Sequence, residues 1–234
     1  MKRLKKMLFG SGGKSLHGYK NPKARVLIFD FDGTLANTLQ VAIEIFNELA
    51  PQYGFDELTD EVIEMARGMS AHEIIKHFKV PATKIPSIAA NGLKALHRRM
   101  PEVNPFDGVA EMLNKAAAAN YVLGILTSNS ENNVRDFLSR HDLPEFAFIR
   151  CSSQIFGKDV HLRKILKTNG WSAEQILFLG DEVRDIEACQ KVGIACAAAS
   201  WGYNTRAALE KVEPRWIIDK PTEFLDLLDF FKSR

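Results

Sequence analysis

A short apolar run that ends in two aspartates limits the folds open to this chain more than any other feature. Residues 26–29 read Val-Leu-Ile-Phe, and the sequence Asp-Phe-Asp-Gly-Thr follows at positions 30–34. A run of this length and composition is typical of a strand buried on both faces of a parallel sheet. Ligands of such sheets bind beyond the carboxyl ends of the strands, which is where the two aspartates fall.

Asp30 and Asp32 are therefore expected to lie close together at a strand end. Two neighbouring carboxylates repel each other unless a cation or a shared proton compensates their charge. Carboxylate oxygens are hard ligands, which favours a divalent metal ion and Mg²⁺ in particular. The alternative interpretation is an acidic loop or a helix cap that follows an ordinary strand.

Positions 26–35 resemble the first motif of the haloacid dehalogenase (HAD) superfamily, an apolar run followed by Asp-x-Asp-Gly-Thr-Leu. The resemblance implies that Asp30 is a nucleophile that forms an aspartyl-phosphate. It also implies that Asp32 is a general acid and base whose backbone carbonyl helps to hold Mg²⁺. Gly33 and Thr34 are expected to bind the phosphoryl group. Three further motifs should then follow in order.

The second motif of the family is an apolar strand that ends in threonine or serine, and residues 122–127 fit it. The hydroxyl group of Thr127 can donate to a phosphoryl oxygen without adding charge, and nearby backbone N–H groups can do the same. Ser128 takes this role if the register shifts by one residue. We expect Thr127 to be catalytic, and Thr127, Ser128 and Asn129 to bind phosphate. The alternative is that the hydroxyl group only caps the next helix.

The third motif is a lysine near the start of a later helix, and Lys158 fits it best. A lysine there offsets the charge of the nucleophilic aspartate and of the phosphoryl group that it also binds. Many relatives have proline after this lysine, whereas Asp159 follows here, so Lys164 and Lys167 remain alternatives. Their position beside apolar residues of the same helix favours surface lysines.

The fourth motif, Gly-Asp-x-x-x-Asp after an apolar strand, occupies positions 180–185. The resemblance implies that Asp181 completes the magnesium site and that Asp185 supports it, as a ligand or through water. Glu182 and Arg184 are expected to be exposed or to form a local ion pair. The resemblance covers about residues 25–230, and positions 199–203 resemble the loop after the fifth core strand of phosphoglycolate-phosphatase-like members.

The chain divides into a predicted core and a predicted insertion. Residues 37–104 carry about four helical patterns and no convincing strand, and the first helix is expected to stop at Pro51. From position 105 strands alternate with helices, as in a parallel α/β sheet. We predict a Rossmann-like α/β core at 25–36 and 105–234 with a helical cap at 37–104. The cap resembles that of the subfamily that includes phosphoglycolate phosphatase and β-phosphoglucomutase.

Composition and charge exclude several classes of protein. The hydrophobic content of 46% and the charged content of 26% are ordinary for a globular chain. Residues 1–25 hold eight basic residues and no acid, which leaves 23 basic and 29 acidic residues elsewhere. We predict a flexible basic tail at 1–24 on an acidic body, and such a body argues against a nucleic-acid partner. No apolar run is long enough to span a bilayer, and the sparse cysteines indicate reduced thiols in a cytoplasmic protein.

These features together predict a phosphoric monoester hydrolase. We expect a magnesium-dependent phosphatase that hydrolyses a small phosphorylated metabolite, phosphoglycolate-like or a sugar phosphate, as a monomer or homodimer. A phosphomutase of the β-phosphoglucomutase type and a non-catalytic binding protein on the same fold remain alternatives. The cap should select the substrate, with Arg67 pairing with a carboxylate or a second phosphate. The alternative for Arg67 is an ordinary surface arginine.

Overall fold

A parallel sheet of six strands forms the centre of the protein in a computed structural model that describes residues 24–152 and 157–232. In chain order the strands are β1 (Val26–Phe29), β2 (Val122–Thr127), β3 (Phe148–Cys151), β4 (Ile176–Gly180), β5 (Ala195–Ala199) and β6 (Trp216–Ile218). Their order across the sheet is β3-β2-β1-β4-β5-β6, and every neighbouring pair is parallel. The predicted Rossmann-like α/β fold is confirmed.

In the sequence, four inserted helices follow β1 before the chain returns to the core. Shorter segments connect the other strands. The inserted helices are α1 (Leu39–Tyr53), α2 (Asp60–Arg67), α3 (Ala71–His77) and α4 (Ile85–Arg99). The core helices are α5 (Val109–Ala118), α6 (Glu131–Arg140), α7 (Lys158–Asn169), α8 (Val183–Val192), α9 (Arg206–Glu210) and α10 (Phe224–Lys232). Within the described ranges, no helix combines the length and apolar character needed to cross a membrane.

Strand β1 lies in the middle of the sheet because its side chains are apolar on both faces. Alternation sends Val26 and Ile28 into one hydrophobic cluster and Leu27 and Phe29 into the other. All four side chains are fully buried. The chain therefore leaves β1 at Asp30, between the neighbouring strands β2 and β4.

The two connections to the inserted helices run side by side. The backbone N–H of Asn37 donates to Asn104 O at 2.9 Å, and that of Phe106 donates to Leu35 O at 3.2 Å. Paired connections at this point support the predicted cap at 37–104, whose boundaries stay a prediction. The predicted basic tail at 1–24 lies outside the described residues, apart from the buried Ala24.

The prediction that Pro51 ends the first helix is wrong. Helix α1 continues to Tyr53 and is closed by Gly54, which has φ +74° and donates its N–H to Ala50 O. A proline removes one N–H group from a helix, and residues after it can still bond back to earlier carbonyls. In the last turn, a glycine in the left-handed conformation decides where the helix ends.

Candidate active site

Three buried carboxylates meet where β1 and β4 end. These strands are paired with Phe29 opposite Leu179, so that Asp30 and Asp181 leave the sheet side by side. Asp185, in the first turn of α8, completes the cluster, whose carboxylate oxygens lie within 4.8 Å of one another. None of the three residues is more than 2% exposed. Carboxylate oxygens grouped in this way could hold a divalent cation.

Lys158 supplies the positive charge of this cluster. Its Nζ atom lies 2.5 Å from Asp30 Oδ2 and 2.5 Å from Asp185 Oδ1. The lysine is the first residue of α7, where Gly157 in the left-handed conformation (φ +99°) turns the chain into the helix. Lys164 and Lys167 lie at the surface instead. The structure therefore brings the preferred lysine, and neither alternative, to the predicted site.

Burial dominates the electrostatics of the site. It raises the pKa of Asp30 from 3.8 to about 7, although Lys158 acts in the opposite direction. Burial, and then the charges of Glu182 and Asp30, also raise the pKa of Asp181 well above its ordinary value. For Lys158, burial alone would lower the pKa, but Asp185 and Asp30 outweigh it and raise the pKa. At Asp30 and Asp181, burial and the neighbouring carboxylates therefore outweigh the opposing effects of the nearby cations and hydrogen bonds.

Asp32 stands apart from the three-carboxylate cluster. Asn129 Nδ2 donates to Asp32 Oδ1 and Oδ2, both at 3.0 Å, and this amide is itself buried. Burial raises the pKa of Asp32 to about 6, while the hydrogen bonds from Asn129 and Thr38 lower it by less. A carboxyl group with this pKa can carry a proton or release it near neutral pH, as a general acid and base must.

The remaining predicted phosphate-binding residues follow the ends of β1 and β2. Thr127 is buried at the end of β2 and its Oγ1 accepts the N–H of Asn129 at 3.0 Å, while Ser128 is half-buried. Thr34 Oγ1 donates to Asp181 Oδ1 at 2.6 Å. Gly33 has φ +74°, and a Cβ atom there would lie 2.1 Å from Asp181 Oδ2. Only glycine allows the chain this close to the carboxylate.

The family can be assigned from the whole of the core. The model of the haloacid dehalogenase-like hydrolases matches residues 27–199, well over half of the chain. The chain belongs to this family of hydrolases. Its membership confirms the predicted resemblance to the haloacid dehalogenase superfamily and the prediction of an enzyme, a hydrolase.

Individual relatives of this hydrolase agree with the assignment. A phosphoglycolate phosphatase from Synechococcus elongatus is 31% identical over 202 residues, which cover 86% of this chain and 95% of that protein. Pyrophosphatase PpaX from Bacillus cereus is 27% identical over 211 residues, 88% of this chain and 97% of that protein. The crystal structure of a predicted phosphoglycolate phosphatase from Haemophilus somnus has a TM-score of 0.70 at 19% identity. That match covers 88% of this chain and 98% of the other, and it shows the shared fold.

The loop after β5 joins the hydrolase core to the inserted helices. We call residues 201–205 the docking loop. Asn204 Nδ2 donates to Arg67 O and Met69 O, each at 2.8 Å, while its Oδ1 accepts the N–H of Val183 at 2.9 Å. On the other side, the N–H of Tyr203 donates to Asp181 Oδ2 at 2.7 Å. One short segment thus holds both a carboxylate of the cluster and the end of α2.

Arg67 takes part in this docking. Its Nε donates to Tyr203 O at 3.2 Å, one terminal nitrogen donates to Gly202 O at 3.1 Å, and the other pairs with Glu64 at 2.5 Å. The guanidinium group is therefore bonded to the docking loop and to its own helix. The role predicted for Arg67 in binding a substrate anion stays a prediction.

Three other features of the site had only part of their role, or none of it, predicted from sequence. Tyr203 lies in the segment 199–203 that only the family resemblance singled out. Asn204 lies just beyond it, and no local pattern marks an asparagine that bridges the inserted helices and the core. Glu182 and Arg184 form the ion pair that was one of two expectations, and both are partly buried. Asn129 was predicted to bind phosphate, and its side chain also holds Asp32.

Proposed function

We propose that this hydrolase is a Mg²⁺-dependent phosphatase that cleaves small phosphate esters through an aspartyl-phosphate on Asp30. The position of Asp30 is the main observation that supports this proposal. It lies in the buried carboxylate cluster, bonded to Lys158 and next to the separately held Asp32. The family supports hydrolysis, and this geometry supports a carboxylate nucleophile with its own acid and base.

The charge of the cluster fits a divalent cation. Asp30, Asp181 and Asp185 with Lys158 carry a net charge of −2 when all are ionised, and they are buried together. Their oxygens suit Mg²⁺, and the backbone carbonyl of Asp32 is the further predicted ligand. A bound Mg²⁺ would supply Lewis-acid stabilisation of the charge on the phosphoryl oxygens.

Different residues of the site have different roles in the proposed reaction. The N–H of Phe31 donates to Asp30 Oδ1 at 2.7 Å and Lys158 holds Oδ2, so both oxygens are positioned. Asp30 attacks phosphorus, an O–P bond forms, and the ester P–O bond breaks with its electron pair on the leaving oxygen. Asp32 gives its proton to that oxygen. It then takes a proton from the water that cleaves the aspartyl-phosphate, while Thr127 and Ser128 donate to the phosphoryl oxygens.

A screen for released phosphate tests the proposal. The compounds are phosphoglycolate, inorganic pyrophosphate, several sugar phosphates, and simple aryl and alkyl monophosphates. Relatives are named for the first two, the third class was predicted from sequence, and the last class lacks a second polar group. We expect Mg²⁺-dependent release from at least one phosphate ester. No release from any of them would contradict a phosphatase. A cytoplasmic location, a monomer or homodimer, and the absence of a nucleic-acid partner stay predictions.

The raised pKa values predict how pH and Mg²⁺ affect stability. The folded-state pKa values of Asp30 and Asp32, about 7 and about 6, exceed the ordinary value of 3.8. Their contribution to stability is therefore full below about pH 4 and is lost as pH rises through 6 to 7. We expect the Tm of the metal-free protein to fall between pH 5 and pH 8, and added Mg²⁺ to raise the Tm more at pH 8.

Differential scanning calorimetry at matched ionic strength measures these shifts. Asp30→Asn removes one of the two groups, so its metal-free Tm should fall less over the same pH range. Two results would contradict the raised pKa values of Asp30 and Asp32. One is a Tm of the metal-free protein that does not change with pH, and the other is a larger Mg²⁺-induced increase in Tm at pH 5 than at pH 8.

Gly202 offers a test of the support behind Asp181. A Cβ atom at Gly202 would lie 2.3 Å from both Cβ and Oδ2 of Asp181, so that Gly202→Ala must displace this carboxylate. We expect the Mg²⁺ concentration for half-maximal activity to rise at least about tenfold, as when partners that orient a metal ligand are lost. Gly92→Ala is the matched control, since a Cβ there meets nothing closer than 3.9 Å. If the Mg²⁺ dependence of Gly202→Ala were unchanged, the assignment of Asp181 as a metal ligand would be contradicted.

Arg67→Ala distinguishes docking from anion recognition. Because the guanidinium bonds to the docking loop, we expect kcat/KM to fall about tenfold for every ester, including a small aryl phosphate. Loss confined to substrates with a second anionic group would support the predicted anion pairing instead. Arg98→Ala, on an exposed position of α4, is the control.

A further inference from the structure

Helix α1 carries two apolar stripes, and one of them packs against α4. Ile45 and Leu49 are buried beside Gly92 of α4. The second stripe has the spacing i, i+3, i+4 and i+7, which places its side chains on one face. Its members are Leu39, Ala42, Ile43 and Phe46. All four are only half-buried, although each is apolar.

This second stripe lines a cavity between the inserted helices and the docking loop. The cavity measures about 160 Å³. Apolar side chains from α2 and from the segments that flank it complete the cap side, and Phe46 packs there against Phe55 and Phe78. Glu182, Tyr203 and Asn204 form the core side. An apolar cavity of about 150 Å³ is large enough for a benzene ring.

The core side of the cavity adjoins the residue that protonates the leaving group in the proposed function. Thr38, directly before the stripe, hydrogen-bonds to Asp32 and meets Tyr203 Oη at 2.9 Å. Tyr203 in turn holds Asp181 through its backbone N–H. Thr38 and Tyr203 therefore connect Asp32 to the core side of the cavity.

The charged groups at the cavity are already paired. Among its lining residues, all of which the structure describes, Arg67 is the one cation. Its guanidinium bonds to Gly202, Tyr203 and Glu64. The acid in the lining, Glu182, pairs with Arg184. A carboxylate or second phosphate in this space would have to break one of these pairs or lose its hydration without compensation.

We propose that this cavity binds the leaving group of the substrate, and that the leaving group is uncharged and partly apolar. The substrate class is then a phosphate monoester of an aryl or medium-chain alkyl alcohol, rather than phosphoglycolate or pyrophosphate. This inference rests on the proposed phosphatase function and narrows its substrate. The phosphoryl end binds among Asp30, Lys158 and Thr127, and the carbon chain extends along the second stripe of α1.

A series of linear alkyl monophosphates from methyl to hexyl tests the inference, with phosphoglycolate and pyrophosphate as polar comparators. We expect kcat/KM to rise about fourfold per methylene, the equivalent of ~0.8 kcal/mol each, until the cavity is full. Calorimetric titration of the same compounds in Mg²⁺ gives their affinities independently of turnover. The affinities should rise with chain length in the same way.

Substitutions of residues that line the cavity should change the dependence of kcat/KM on chain length in opposite directions. Ala42→Leu fills the cavity and should lower the ratio of hexyl to methyl kcat/KM to near one. Ile43→Ala enlarges it and should shift the optimum to a longer chain. Ala89→Leu is the matched control, since Ala89 is half-buried on α4 and outside the lining. It should leave the ratio unchanged.

The outcomes separate this inference from the proposed function. If phosphoglycolate or pyrophosphate is cleaved better than every alkyl ester, the inference is overturned while the phosphatase stands. If no ester is hydrolysed, the proposed function fails, and calorimetry still tests the cavity. Hexyl phosphate that binds no more tightly than methyl phosphate overturns the inference in either case.

Discussion

Replacing Asp30 with asparagine is expected to lower phosphatase turnover by at least about 10³-fold. The amide has almost the same size as the carboxylate, but its oxygen is a poor nucleophile and it carries no charge for Lys158 to offset. Lys158 keeps its second partner, Asp185, at 2.5 Å, so that the lysine is not left buried without a counter-ion. Released phosphate measures turnover, and circular dichroism with thermal melting measures the fold.

Asp56→Asn is the matched control for this substitution. Asp56 also pairs with a lysine, Lys79 at 2.8 Å, but the pair is exposed on the inserted helices. We expect this variant to keep its turnover. Near-normal turnover in Asp30→Asn, or an equal loss in both variants, would contradict the role of Asp30 as nucleophile.

Removal of divalent metal is expected to have the second largest effect. Excess chelator should reduce turnover by at least about 10²-fold, and added Mg²⁺ should restore it, because the buried carboxylates repel the incoming phosphate without a cation. Asp181→Asn removes one of the three charges and should raise the Mg²⁺ requirement by at least about tenfold.

The control for the metal experiment is an aspartate with comparable hydrogen bonds but no place in the cluster. Asp219 is exposed and accepts from Ser200 Oγ and from Arg206, both outside the site. Asp219→Asn should leave the Mg²⁺ requirement unchanged. Full turnover of the wild-type protein in excess chelator would rule out a metal in the reaction.

Some of this protein follows from local pattern alone. The uninterrupted apolar run at 26–29 predicts a strand buried on both faces, and the strand is central in the sheet. The same run places Asp30 at a ligand-binding edge, since a strand has a defined carboxyl end. Alternation of strands and helices after position 105 predicts the parallel sheet. These features depend on neighbours in sequence, which a reader of the chain can see directly.

Other local features depended on single backbone conformations. The end of α1 was predicted at Pro51 and lies at Tyr53, because Gly54 adopts the left-handed conformation that closes the helix. Helix α9 was missed, since five residues are too few to show a helical period. Patterns of residue type average over several positions, whereas one dihedral angle at one glycine decides such a boundary.

The contacts of the site were decided by the tertiary structure. Lys158 reaches Asp30 across 128 positions of sequence, and the choice between it and Lys164 depended on where α7 begins. Asn204 bridges the inserted helices and the core, and the second stripe of α1 lines a cavity. The sequence determined which side chains were available at the strand ends. Which of them meet depends on strand order and on how the inserted helices pack against the core, and no periodicity within one element encodes either.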